Sequence, residues 1–157
     1  MAISVKKITL WRKEALNNPG VLAAVLEPLA ERGTSLRVVM GHGNPSDPER
    51  AVIELFPIQG KKPAAAGLSA SPASCLLVEG DDRPGLAAAM GRAIADAGVN
   101  ISFLVAQSLG RKFTAVFGFE NDDAVAAASK AIRSVGKMPP ARKTARKTAK
   151  TKARRRR

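Results

Sequence analysis

The chain has 157 residues, 45% of them hydrophobic, enough for one ordinary domain or two small ones around a buried core. Its formal net charge of +13 is concentrated at one end: eleven Lys or Arg and no acid lie between Lys137 and Arg157, leaving 15 basic against 13 acidic residues before them. The single cysteine, Cys75, excludes an intrachain disulfide, and no cleavable leader or membrane-length apolar run is evident, so the expected compartment is the reducing cytoplasm.

In chain order, Ile3 to Trp11 alternates well enough for one strand. Pro19 to Arg32 reads as a helix, with Asn18 as N-cap, Pro19 at the first position and Gly33 as the stop. Val21, Leu22, Val25, Leu26 and Leu29 fall on one helical face, and Pro28 is expected to kink it. A strand follows over Ser35–Met40, then a turn over Gly41–Pro48, a strand over Arg50–Ile58 and a short helix over Lys61–Gly67. Gly67–Ser74 reads as a linker.

The second half repeats this order. Ser74–Val78 is a strand, and Pro84–Ala97 a helix with Leu86, Met90 and Ile94 on one face. Val99–Gln107 and Phe113–Phe119 are strands joined by a hairpin turn at Leu109–Lys112. Asn121 or Asp122 caps a last helix to about Arg133, with Val125, Ala128 and Ile132 inward. Only Val135 to Met138 is placed to form a final strand. Pro19, Gly20, Ala23, Ala24, Ala30 and Gly33 map onto Pro84, Gly85, Ala88, Ala89, Ala95 and Gly98 at one offset, the mark of a duplicated unit. The expected fold is α+β: two ferredoxin-like βαββαβ units side by side, at residues 1–68 and 72–136, with antiparallel sheets and helices on one face of each. Their sheets are expected to join, or their helices to pack.

Residues 137–157 differ in kind. Ala141-Arg142-Lys143-Thr144 recurs as Ala145-Arg146-Lys147-Thr148, without apolar periodicity, so the segment is expected to be disordered when free. Arg142, Lys143, Arg146, Lys147, Lys150, Lys152, Arg154, Arg155, Arg156 and Arg157 are the expected contacts to DNA or RNA phosphates. The tail contains no aromatic residue, so base stacking is not expected.

Catalytic and metal chemistry find little support. One histidine, His42, and one cysteine supply neither a nucleophile–base arrangement nor a metal ligand set, so no enzyme, metal or cofactor is expected. His42 reads as an exposed hairpin residue, Cys75 as a small buried apolar one, and Gly118 as a bulge or close packing point.

The motif Asp81-Asp82-Arg83-Pro84-Gly85-Leu86, followed by Gly98-Val99-Asn100-Ile101, resembles the ACT domain family, as does Asn17-Asn18-Pro19-Gly20-Val21-Leu22 more loosely. The likeness covers about residues 3–135 and implies a tandem regulatory protein, without catalysis, that binds an amino acid or similar small carboxylate metabolite. It also implies that ligand lies where units pair, and a homodimer is among the assemblies expected. Carried over residue by residue, it points to Asn17, Asn18, Gly20, Val21 and Leu22 in the first copy. In the second it points to Asp81, Asp82, Gly85, Leu86 and Asn100. Glycine permits close approach to the backbone, and a helix N-terminus favours a carboxylate. The alternative expectation is a nucleoid-associated protein whose ACT-like body serves mainly for oligomerisation.

Overall fold

The computed structural model describes residues 3–59 and 62–137. The elements are β1 (Ser4–Ile8), β2 (Trp11–Leu16), α1 (Val21–Glu31), β3 (Val38–Asn44), β4 (Asp47–Phe56), α2 (Lys62–Ala65), β5 (Ser69–Ala70), β6 (Ser74–Asp81), α3 (Leu86–Asp96), β7 (Phe103–Leu109), β8 (Lys112–Phe119) and α4 (Asp122–Lys137). They form two four-stranded sheets, ordered β3-β4-β2-β5 and β1-β6-β8-β7, with every pairing antiparallel. Among the described residues, no helix is long and apolar enough to cross a membrane.

The strand expected over Ile3–Trp11 is in fact two strands in two sheets. β1 pairs with β6, setting Val5 opposite Val78, whereas β2 pairs with β4 and β5. The final strand expected from Val135–Met138 does not form over its described part, because Val135 is a buried residue of α4. β1 fills the edge beside β6 instead. Two ties hold it there: Arg133 Nη2 donates to Val5 O at 2.6 Å, and Lys7 pairs with Asp122 at 2.7 Å, a carboxylate that also accepts from Ser74 Oγ of β6 at 2.6 Å. A two-residue strand, β5, lies within the expected linker and closes the first sheet against β2.

The sheets stack face to face, instead of joining at an edge or packing through their helices. In β6, Leu76 and Val78 face α3 and α4, while Cys75 and Leu77 face the other sheet, as a two-residue period requires. The run Cys75-Leu76-Leu77-Val78 is thus buried on both faces. Between the sheets, Ile8, Leu10, Cys75, Leu77 and Val116 meet Val38, Met40, Phe56 and Phe103. On the outer side of the second sheet, Met90 and Ile94 of α3 and Ala128 and Ile132 of α4 complete one core. Val25 and Leu29 of α1 pack on Ile53 and Leu55 of β4 in another. The result is four layers, helix–sheet–sheet–helix.

The two main helices repeat faithfully. α1 and α3 both have eleven residues, and both follow a left-handed glycine, Gly20 at φ 90° and Gly85 at φ 81°. Both therefore start two residues later than expected: Pro19 and Pro84 belong to the preceding turn, and Asn18 is not the N-cap. Leu22 is 43% exposed, contrary to the expected inward face, while Leu29, Leu86 and Ile94 are buried. α1 continues through Pro28 to Glu31.

The glycine-rich stretch expected to be a turn is largely strand. β3 runs through Gly41, His42 and Gly43, opposite Ile53, Val52 and Ala51, with an irregularity at Gly43/Asn44. The reversal narrows to Pro45-Ser46. Ladder pairing overrides the weak strand propensity of glycine here. Gly118 is a close packing point: it lies opposite Phe103, and a methyl group added there would sit inside the Phe103 ring. The tail beyond Lys137, with its expected disorder and phosphate contacts, lies outside the described residues.

Candidate functional site

The β6–α3 turn forms the wall of an open cleft of about 450 Å³. Asp82, Arg83, Pro84, Gly85 and the first turn of α3 line one side; Ala106, Gln107 and Ser108 of β7 and Phe113 of β8 line the other. The turn is held to the β7–β8 hairpin by the Asp82 N–H, which donates to Arg111 O at 2.8 Å. Arg83 Nη2 donates to Val135 O at 3.1 Å, fixing the far side of the turn to α4.

No side chain caps α3. Leu86 N–H donates to Arg83 O at 3.1 Å, Ala87 and Ala88 N–H have no backbone acceptor among the described residues, and a left-handed glycine before them leaves the approach free of a β-carbon. Such a helix start carries partial positive charge suited to an anion. The Asp82 carboxylate is exposed and has no hydrogen bond or ion pair among the described residues. Asp81 differs. It accepts from Lys112 Nζ at 2.8 Å, and this bond, then the charge of Lys112, holds its carboxyl below the usual 3.8. Of the two adjacent carboxylates, Asp82 is the one left for an incoming cation.

The candidate residues of the second copy therefore divide. Asp82, Gly85 and Leu86 line the cleft; Asp81 is engaged by Lys112 beside it. Asn100 is exposed beyond the other end of α3, which at 1.5 Å per residue lies about 16 Å away. One copy of the chain does not bring Asn100 to Gly85. Gln107, Ser108 and Phe113 were not singled out by sequence. Their approach follows from the β7–β8 pairing, and the only sequence signal for it is the hairpin turn at Gly110-Arg111.

In the first copy, Asn17, Asn18, Gly20 and Leu22 are all exposed and Val21 is partly buried at the start of α1. Asn17 is committed to its own loop: its N–H donates to Glu49 O at 2.8 Å and its Nδ2 to Pro48 O at 3.2 Å. α1, like α3, has no side-chain cap. With Asn17-Asn18 where the second copy has Asp82-Arg83, this loop offers no carboxylate, so the two helix starts present different electrostatics to a ligand. Among the described residues, no group of three or more His, Cys, Asp or Glu side chains is arranged to hold a metal ion.

The ACT domain family model matches residues 76–134, from the middle of β6 into α4. A search of curated protein sequences finds no match. Several solved structures are similar in fold. The regulatory subunit of aspartate kinase from Thermus thermophilus, in its ligand-free form, aligns with a TM-score of 0.58 at 17% identity, over 86% of this chain and 97% of that one. A protein from Bacteroides thetaiotaomicron gives 0.66 at 16% identity, over 85% and 99%. The regulatory subunit of aspartate kinase from Thermus flavus gives 0.56 at 19% identity, over 86% and 97%. At these identities the likeness is one of fold, and it extends over both sheets.

Proposed function

We propose that this protein is a non-catalytic regulatory module that binds an amino acid or similar small carboxylate metabolite at the β6–α3 turn. The observation that carries this reading is the cleft itself: an uncapped helix start behind Gly85, with the unpaired Asp82 carboxylate beside it. The ligand carboxylate sits over the first turn of α3, and its ammonium group faces Asp82. The ACT domain match over residues 76–134 and the fold shared with aspartate kinase regulatory subunits support the same class of role. In this reading residues 1–68 and 72–136 are two ACT-type units, with β1 lent to the second. Asn17, Asn18, Gly20, Val21 and Leu22 form the weaker counterpart site. A homodimer bringing Asn100 of one copy toward the turn of the other would complete the ligand shell. The compartment proposed is the cytoplasm.

The test is a thermal-shift and calorimetric panel of amino acids and small carboxylates. Gly85→Val is expected to abolish binding at some cost in stability, since valine is strained at φ 81°, and Asp82→Asn to weaken amino acids more than simple carboxylates while leaving the melting temperature of the free protein unchanged. Absence of any stabilising compound at millimolar concentration would refute the reading.

The charge of residues 137–157 favours an added role in polyanion binding. If about six of the eleven basic side chains meet phosphates, duplex DNA affinity follows log salt with a slope near −5. Truncation after Gly136 is expected to remove that binding and leave metabolite affinity intact. Equal DNA binding by both forms would reduce the tail to a solubilising segment.

A further inference from the structure

A second cleft, of about 560 Å³, opens where β3 of one sheet faces β7 of the other, and shares no lining residue with the cleft at the Gly85 turn. Its walls are mainly apolar, with Val39 and Met40 from β3, Phe103 and Val105 from β7, and Pro72 from the segment between β5 and β6; Arg12 and His42 also line it. Its floor carries Glu54, the one charged residue buried among those described, at 5% exposure. Glu54 stands at the centre of a cross-strand row, between Met40 on β3 and Arg12 on β2. Its carboxylate accepts one hydrogen bond, from Ser71 Oγ at 2.6 Å, and enters no ion pair among the described residues.

Arg12 would be its natural partner, being directly opposite on the same face. Its guanidinium is turned instead to Glu14, at 2.5 Å. That pairing draws the Arg12 guanidinium toward Glu14 and leaves Glu54 without an ion-pair partner among the described residues. A carboxylate withdrawn from water and served by a single hydroxyl is costly to hold unless a cation reaches it. The volume lies within the range of small-molecule sites, and apolar walls around one converging polar group are their usual construction.

We propose that this inter-sheet cleft binds a small organic cation with an apolar body, its ammonium group on Glu54 and its hydrocarbon portion against Met40, Phe103 and Val105. The site is independent of the one at the Gly85 turn. It selects for positive charge, whereas an uncapped helix start selects for negative charge. A simple amine and a simple carboxylate therefore separate the two.

The experiment is a calorimetric titration of the full chain with 2-phenylethylamine, 2-phenylethanol and phenylacetate, with backbone amide shifts mapped in parallel. The amine is expected to bind and to shift the amides of Arg12, Gly41, Glu54 and Ala73. At this cleft, as read from those amides, the neutral alcohol and the anion are expected to bind at least about tenfold more weakly, the scale set by a charge-assisted hydrogen bond. Glu54→Gln retains an acceptor for Ser71 and is expected to erase the preference for the amine. Val105→Trp, at an exposed wall position, is expected to fill the cleft and block binding; it serves also if the Glu54 variant fails to fold. Equal binding of amine and alcohol, amide shifts confined to residues 82–88, or no binding at millimolar amine would each overturn the assignment. None of those outcomes bears on whether a carboxylate binds at Gly85.

Discussion

Cys75 illustrates what burial does to a reactive side chain. Its thiol is fully buried between the sheets and pushed up to about 12, first by desolvation and then by the negative charge of Glu54. The thiolate is the nucleophile, so native protein at about pH 8 should resist a thiol reagent and react only as fast as it unfolds. Reaction of native and urea-unfolded protein at equal rates would contradict that burial. Gly118 is the complementary case, a residue defined by what it lacks. Gly118→Ala is expected to cost about 1–3 kcal/mol, since the Phe103 ring must leave its place to admit the methyl group. A urea midpoint unchanged from the parent would show that the ring moves freely. The sequence marked both residues for their environments, Cys75 within an apolar run and Gly118 within a strand. It could not identify Phe103 or Glu54 as their neighbours, because those contacts join segments far apart in the chain.

At the scale of elements, the Pro-Gly helices were the most legible part of the molecule. Period, punctuation and repetition agreed, and α1 and α3 are related by the offset that separates Pro19 from Pro84. Their starting residues were less legible, since a left-handed glycine and a proline at the first helical position leave similar traces. The difference has a measurable consequence at Leu22. Leu29→Ala should cost about 2–5 kcal/mol, because Leu29 is 1% exposed against β4, whereas Leu22→Ala should cost well under about 1 kcal/mol. Similar losses at the two positions in urea unfolding would place Leu22 in the core after all. The strands were harder. β2 carries Arg12, Lys13 and Glu14 in succession and lacks the apolar alternation of a strand, and β5 is too short to leave a pattern. The candidate turn site was legible through its motif, but its opposite wall on β7 and β8 was not.

At the scale of the whole molecule, the pairing of β1 could not be read locally. Nothing in Ser4–Ile8 distinguishes a partner next in sequence from β6, which follows only after the entire first sheet has been traversed. The attachment of β1 makes stability depend on pH. The bond from Lys7, then that from Ser74, holds the Asp122 carboxyl below its usual 3.8. A carboxyl lowered in the folded state stabilises it above the unfolded value, and the contribution is lost as pH falls through the folded one. Asp122→Asn should therefore lower the urea midpoint at neutral pH, with the gap to the parent closing toward about pH 3. A constant gap across that range would assign the effect to something other than this carboxylate's charge.

The position of β1 also means that chain order and structural order can be brought into agreement by moving the break in the backbone. Ile3 packs against Gly136 at the end of α4, so a short connection there could join the described ends without reaching across the molecule. Reopening the chain between Ser71 and Ala73 would then give β6-α3-β7-β8-α4-β1 followed by β2-α1-β3-β4-α2-β5. Each sheet would be encoded by one uninterrupted stretch. The rearranged polypeptide would keep the same pairings while turning a nested arrangement into a linear one, and either half could be expressed alone with all four of its strands.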